Sequence, residues 1–136
     1  YEARALGADA VLLIVRILTP EELRQLLYLT WSLGMDALVE VHDRKDLEIA
    51  QETPAEFIGI NNRNLMTFET SVETTLDLLP YADKNRTIIS ESGIFMRADA
   101  VRVYEAGCKG VLVGEGLVRA ADVDAFAREL ANIKEQ

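Results

Sequence analysis

Four short runs place reactive side chains where apolar segments end: ALVEVH (37–42), IGINNRNL (58–65), IISESGIF (88–95) and GVLVGEGLVRAADV (110–123). In the first, side chains alternate, so Leu38, Glu40 and His42 share one face of a strand while Val39 and Val41 share the other. If that face is an enclosed interior, Glu40 is a desolvated carboxylate whose raised pKa suits general-base work. The competing reading is a strand-end glutamate paired with a neighbouring Lys or Arg. His42, which leads into the prospective N-cap Asp43, is read as structural or solvated, and no HxH-type spacing supports a metal. In the second run, Asn61 lies just past the strand and Arg63 two residues on. An arginine there can clamp a substrate carboxylate or orient a catalytic one through paired hydrogen bonds. Asx-turns are the alternative, chiefly for Asn62 and Asn64. Glu91 adds a second inward carboxylate, followed by Ser92 and by Gly93, where the backbone can approach an anion. Gly114-Glu115-Gly116 then opens a short helical stretch. Paired glycine loops after the last two strands, with a short extra helix, form a phosphate cup in many barrels.

The elements that must position these groups alternate regularly. Apolar, β-branched runs occur at 10–15, 37–41, 57–60, 87–90 and 110–114, each followed by a longer segment of helical spacing. Thr19-Pro20-Glu21-Glu22 and Thr70-Ser71-Val72-Glu73 both read as capping boxes, and Leu23, Leu26, Leu27 and Leu33 supply an apolar face after the first. LGAD (6–9), LGMD (33–36) and AGCKG (106–110) mark turns from a helix into the next strand. Strands that are nearly all apolar predict a parallel α/β sheet covered on both sides. No GxGxxG turn follows the first strand, so a dinucleotide-binding sheet is disfavoured. Polar groups at the C-terminal ends of several strands fit a (β/α)8 barrel instead. Five strands cannot close that barrel. The expected fold is therefore a partial TIM barrel, five parallel strands alternating with helices in a single domain over 1–136, with the N-terminal three βα units absent. YEARALGADA, which opens in helical periodicity without Met or cap, fits a chain that begins inside a longer one.

Composition excludes several classes. At 136 residues and 49% hydrophobic content the chain suits one soluble domain, which at this size buries roughly two-thirds of its unfolded surface. A formal charge of −9 makes nucleic acid an unsuitable partner. No apolar run approaches the ~20 residues of a membrane span, and no signal peptide or basic leader is recognisable. The single cysteine, Cys108, reads as a small buried hydrophobe in a reducing compartment, the cytoplasm.

LGADAVLLIVRIL (6–18), LGMDALVEVHD (33–43), IGINNRNLMTF (58–68), ISESGI (89–94) and VLVGEGLVRA (111–120) together resemble the C-terminal part of indole-3-glycerol phosphate synthase, from late helix 3 to helix 8 of its barrel. The resemblance implies a phosphate-binding barrel that needs no cofactor or metal and acts in tryptophan biosynthesis. It implies ring closure with decarboxylation and dehydration of 1-(2-carboxyphenylamino)-1-deoxyribulose 5-phosphate. On matching positions, Glu40 is the acid/base glutamate for dehydration, Asn61 and Arg63 orient substrate, and Glu91 and Ser92 are site residues. The backbone of Gly93, Gly114 and Glu115 would bind phosphate, and Leu12, Ile14 and Leu65 would contact the aromatic ring. The family's general acid for ring closure is a lysine on strand 3, and a second lysine on strand 1 helps grip phosphate; neither strand is represented here. Lys45 and Lys134 belong to helices, Lys84 to a loop, and Lys109 precedes the last strand, so none replaces them. The implied fragment is inactive or nearly so alone, with unpaired apolar edges at 10–15 and 110–114 open to self-association or to pairing with an N-terminal part. Phosphoribosylanthranilate isomerase and the tryptophan synthase α subunit share the glycine loops, but VEVH with INNRNL argues against both. A half-barrel that keeps the phosphate cup as a non-catalytic binding module is the reading from another class.

Overall fold

The computed structural model describes residues 1–133. Strands β1 (Ala10–Ile14), β2 (Asp36–Val41), β3 (Phe57–Asn61), β4 (Thr87–Glu91) and β5 (Gly110–Leu112) form one parallel sheet in the order β1-β2-β3-β4-β5. Helix α1 (Glu2–Ala5) precedes β1; α2 (Pro20–Ser32), α3 (Arg44–Gln51), α4 (Glu73–Leu78) and α5 (Arg97–Ala106) make the crossovers; α6 (Glu115–Arg119) and α7 (Val123–Ala131) follow β5. Spatial order equals chain order, and parallel crossovers are right-handed, so the crossover helices fall on one face of the sheet. This is the arrangement of consecutive βα units in a (β/α)8 barrel.

Local chemistry starts the helices. The Thr19 hydroxyl accepts from Glu22 N at 3.2 Å, the Glu22 carboxylate accepts from Thr19 N at 2.8 Å, and Pro20 occupies the first turn of α2. Asp43 caps α3, accepting from Asp46 N at 2.9 Å. The second expected capping box does not form. Thr70 is bridged antiparallel to Arg63 instead, so α4 starts only at Glu73, behind Val72, which has no side-chain cap. Strand β5 is two residues shorter than expected because Gly114, at φ −111 and ψ −70, already leads the chain into α6.

The core lies between the sheet and its helices. Leu23 and Leu27 of α2, Leu47 and Ala50 of α3, and Ala100 and Val103 of α5 pack with Leu13, Val39, Val41, Ile58, Ile60 and Ile88, all buried. Burying one such aliphatic side chain stabilises by about 1.5–3 kcal/mol. Leu26 joins this face only in part, and Leu33 ends the helix as its C-cap. Cys108 is 1% exposed and burial pushes its thiol up to about 11, as expected of a small core hydrophobe.

The expectation of cover on both faces is corrected. The opposite face carries Leu12, Leu38, Phe57, Ile89 and Leu112, of which Leu12 is 45% and Leu112 is 51% exposed. These strands are apolar on both sides because that face is of the kind that fills a barrel interior, not because helices cover it. β1 and β5 each pair on one side only. Among the described residues no helix is long and apolar enough to cross a membrane.

Candidate functional site

Glu40 on β2 and Glu91 on β4 are 6% and 3% exposed and lie on the open face near the C-terminal strand ends. Between them runs β3, where Gly59 pairs with Glu40 on one side and Ile89 on the other. A Cβ at Gly59 would lie 1.6 Å from Glu91 Oε1 and 3.3 Å from Leu38 Cδ1. The glycine therefore leaves the space in which the Glu91 carboxyl crosses β3 toward Glu40. Burial, then a hydrogen bond with Glu40, then repulsion from its charge push Glu91 from 4.5 up to about 8. Glu91 Oε1 meets no N–H or other hydroxyl. At neutral pH Glu91 therefore keeps its proton, next to the Glu40 carboxyl. A carboxyl that keeps its proton beside a second buried carboxyl is the arrangement from which acid and base roles can be divided. The group that burial raises in this structure is Glu91, the second inward carboxylate of the sequence.

His42 is not solvated, and of its two readings only the structural one stands. Its side chain is 4% exposed, with Nε2 3.2 Å from Glu40 Oε1 and Nδ1 3.7 Å from Asp46 Oδ2, neither in hydrogen-bond alignment. Asp46 also accepts from His42 N at 3.1 Å and pairs with Arg16 at 3.2 Å. The signal was present in the alternation that set His42 on the Glu40 face.

The loop after β3 uses its amides unequally. Asn61 Oδ1 accepts from Arg63 N at 2.9 Å, and Asn64 Oδ1 from Met66 N at 2.8 Å, so these two make the turns. Asn62, for which an Asx-turn was the alternative reading, is 2% exposed and fully engaged. Its Oδ1 accepts from Thr75 N at 3.0 Å and Thr75 Oγ1 at 2.8 Å; its Nδ2 donates to Ser90 Oγ at 2.8 Å and Ser92 O at 3.0 Å. That amide ties β3 to α4 and to the end of β4. It fixes Ser92, which sits at φ +64, a conformation costly for a side-chain-bearing residue and concentrated at functional sites. Gly93 continues the turn at φ +72.

Arg63 does not reach Glu40 or Glu91. Its Nη2 donates to Glu115 Oε2 at 2.6 Å and its Nη1 to Phe68 O at 3.3 Å, while its backbone is bridged to Thr70. The Arg63 hydrogen bond holds Glu115 below the usual carboxylate range against partial burial, helped by the charges of Arg119 and Arg63. A cavity of about 260 Å³ opens between these loops, bordered by Arg63, Glu91, Ser92, Gly93, Gly114 and Glu115. Gly116 is needed beside it, since a Cβ there would meet Ile94 O at 2.3 Å. A second cavity of about 300 Å³ is bordered by His42, Asn61, Arg63 and Leu65. Ile14 pairs with Glu40 across β1 and β2, Leu12 lies one pair deeper against Leu38, and Leu65 is 42% exposed. Lys45 lies in α3, Lys84 in a turn, and Lys109 donates its backbone N–H to Ile88 O at the start of β5; none borders either cavity. Lys134 lies outside the described residues. Among the described residues no three His, Cys, Asp or Glu side chains converge as a metal ion requires.

Known proteins match both this sequence and this fold. The indole-3-glycerol phosphate synthase family model matches residues 1–130. The indole-3-glycerol phosphate synthase of Dehalococcoides mccartyi (strain 195) is 51% identical over 130 residues, which cover 96% of this chain and 50% of the relative. That of Bordetella pertussis is 52% identical over 120 residues, 88% of this chain and 46% of the relative. The chain thus spans about half the length of the curated relatives it matches. Among solved structures, 3-hexulose-6-phosphate synthase from Salmonella typhimurium superimposes with a TM-score of 0.79 at 15% identity, over 96% of this chain and 63% of that one. Thiamine phosphate pyrophosphorylase from Pyrococcus furiosus gives 0.73 at 19% identity, over 98% and 62%. The last two speak to the fold alone, whereas the family model and the half-identical relatives establish descent: the chain belongs to the indole-3-glycerol phosphate synthase family.

Proposed function

We propose that residues 1–136 form one domain, the C-terminal portion of a phosphate-binding barrel, and carry half of the site that makes indole-3-glycerol phosphate from 1-(2-carboxyphenylamino)-1-deoxyribulose 5-phosphate in the cytoplasm. The observation that carries the reading is the Glu40–Glu91 pair, two buried carboxyls on the open face, with Glu91 bordering a cavity and raised by burial. In the dehydration step Glu40 moves a proton to or from the substrate, while Glu91 supplies the acidic partner. Asn61 and Ser92 orient the polar groups, and Arg63 receives an oxyanion. The backbone N–H groups at Gly93, Gly114 and Glu115 take the phosphate, and Leu12, Ile14 and Leu65 contact the ring.

Ring closure needs a proton donor of its own, and among the described residues no lysine borders the two cavities at the strand ends. Losing a general acid costs on the order of 10²-fold or more. The chain alone is therefore inactive or nearly so, and turnover requires a polypeptide supplying the first three βα units of a relative. Glu40→Gln in that mixture is expected to lower kcat by at least about 10²-fold with substrate binding retained. If the mixture shows phosphate binding without turnover, unchanged by Glu40→Gln, the chain is a non-catalytic binding module.

A further inference from the structure

The Glu115 side chain does something that its backbone role leaves unexplained. Its Oε2 accepts from Arg63 Nη2 at 2.6 Å and its Oε1 pairs with Arg119 Nη2 at 2.7 Å. Arg63 Nη1 is meanwhile held by Phe68 O at 3.3 Å. The guanidinium is thus fixed at both terminal nitrogens, by the loop after β3 on one side and the loop after β5 on the other. A guanidinium carries five N–H groups in one plane. These two bonds leave three of them for a ligand, in a plane whose direction is already set. Arg63 borders both cavities, and its side chain is 31% exposed, so a ligand can reach it. Charge matters as well: an isolated Arg63–Glu115 pair is neutral, whereas Arg119 gives the trio two positive charges against one negative.

We propose that Glu115 is a positioning residue: its carboxylate holds the Arg63 guanidinium across the mouth of the site, ready for a ligand oxyanion, and Arg119 keeps the trio net positive. This rests on the reading of the site as one for a phosphorylated aromatic acid, whose phosphate and carboxylate both offer that chemistry. A preoriented guanidinium binds with less ordering of its own side chain, so disrupting the hold weakens binding even though the arginine stays in place.

The test is an NMR titration of the purified 136-residue chain with inorganic phosphate in one arm and 2-aminobenzoate in the other. It follows the Arg63 Nε–Hε signal and the Gly93 and Gly114 amides, with thermal melts confirming that each variant is folded. Whichever probe moves the Arg63 signal identifies the oxyanion it serves. For that probe, Glu115→Gln is expected to raise Kd about tenfold. Glu115→Asp, which keeps the charge, is expected to stay within about threefold of the parent. In an Arg63→Gln background, Glu115→Gln is expected to cost nothing further, since its effect runs through Arg63. Equal affinity of the parent and Glu115→Gln, or a loss that persists in full without Arg63, overturns the positioning role. If phosphate still shifts Gly93 and Gly114 in that case, the phosphate reading stands by itself. No response to either probe overturns both.

Discussion

A proton held by Glu91 at neutral pH ties the stability of the fold to pH through one side chain. Its folded pKa is about 8 against an ordinary 4.5, because it is buried against Glu40. Below 4.5 the group is protonated in both folded and unfolded chains and costs nothing. Between 4.5 and about 8 the folded chain keeps a proton that the unfolded chain has lost, so stability falls as pH rises, and the loss is complete once pH passes the folded value. The full gap corresponds to about 5 kcal/mol. Water reaching the open face brings the expected loss to about 2–3 kcal/mol. With a urea m-value of about 1–3 kcal/mol/M, the unfolding midpoint should drop by roughly 1 M between pH 5 and pH 8.5. Glu22 and Glu115 are held low and act in the opposite sense, losing their contribution only as pH falls below the ordinary carboxylate range, outside this window. Glu91→Gln keeps a hydrogen-bonding group that cannot ionise, so its midpoint should be nearly flat over the same range and above the parent at pH 8.5. Urea unfolding of both proteins across five pH values reads this directly. Parallel slopes for parent and variant would refute the proton held by Glu91 and the acid/base role built on it.

Three further outcomes follow from the same geometry. Gly59→Ala places a methyl where Glu91 Oε1 lies, and since that oxygen ends a flexible side chain it should move aside; the variant should lose the parent's pH slope in urea as Glu91→Gln does, with little change at pH 5. Asn62→Ala removes four hydrogen bonds and leaves the buried Thr75 N–H without its partner, while the Thr75 and Ser90 hydroxyls keep each other at 2.8 Å, and should lower stability by about 2–3 kcal/mol in the same assay. The one-sided edges β1 and β5 should drive self-association of the isolated chain, seen by light scattering at micromolar concentration; a clean monomer there counts against it.

Much of the fold was legible because period and punctuation agreed. The five strands fall within a residue or two of the apolar runs, the Thr19 box and the Asp43 cap form as written, and Cys108 is buried. Alternation along ALVEVH put Glu40 on the open face without any knowledge of neighbours. Failures arose where a partner distant in sequence decides. Thr70 has the residues of a cap, but its backbone is committed to Arg63. Asn62 looks like any turn asparagine, and only the approach of α4 and β4 makes it a buried hub. Gly59 carries no local signal either; its meaning is the carboxyl lying across it from the next strand. Arg63 was read as a clamp for a substrate carboxylate or an orienter of a catalytic one, and its Glu115 partner, 52 residues away, was not legible locally.

The central claim is that this chain carries a competent half of a synthase site. Formation of indole-3-glycerol phosphate should be measured with the chain alone, with a separate polypeptide carrying a relative's first three βα units, and with the two mixed. The account predicts product only in the mixture, and its loss there with Glu40→Gln. Turnover by the chain alone would contradict the absence of a proton donor for ring closure, and a mixture that assembles but makes no product would contradict the roles given to Glu40 and Glu91.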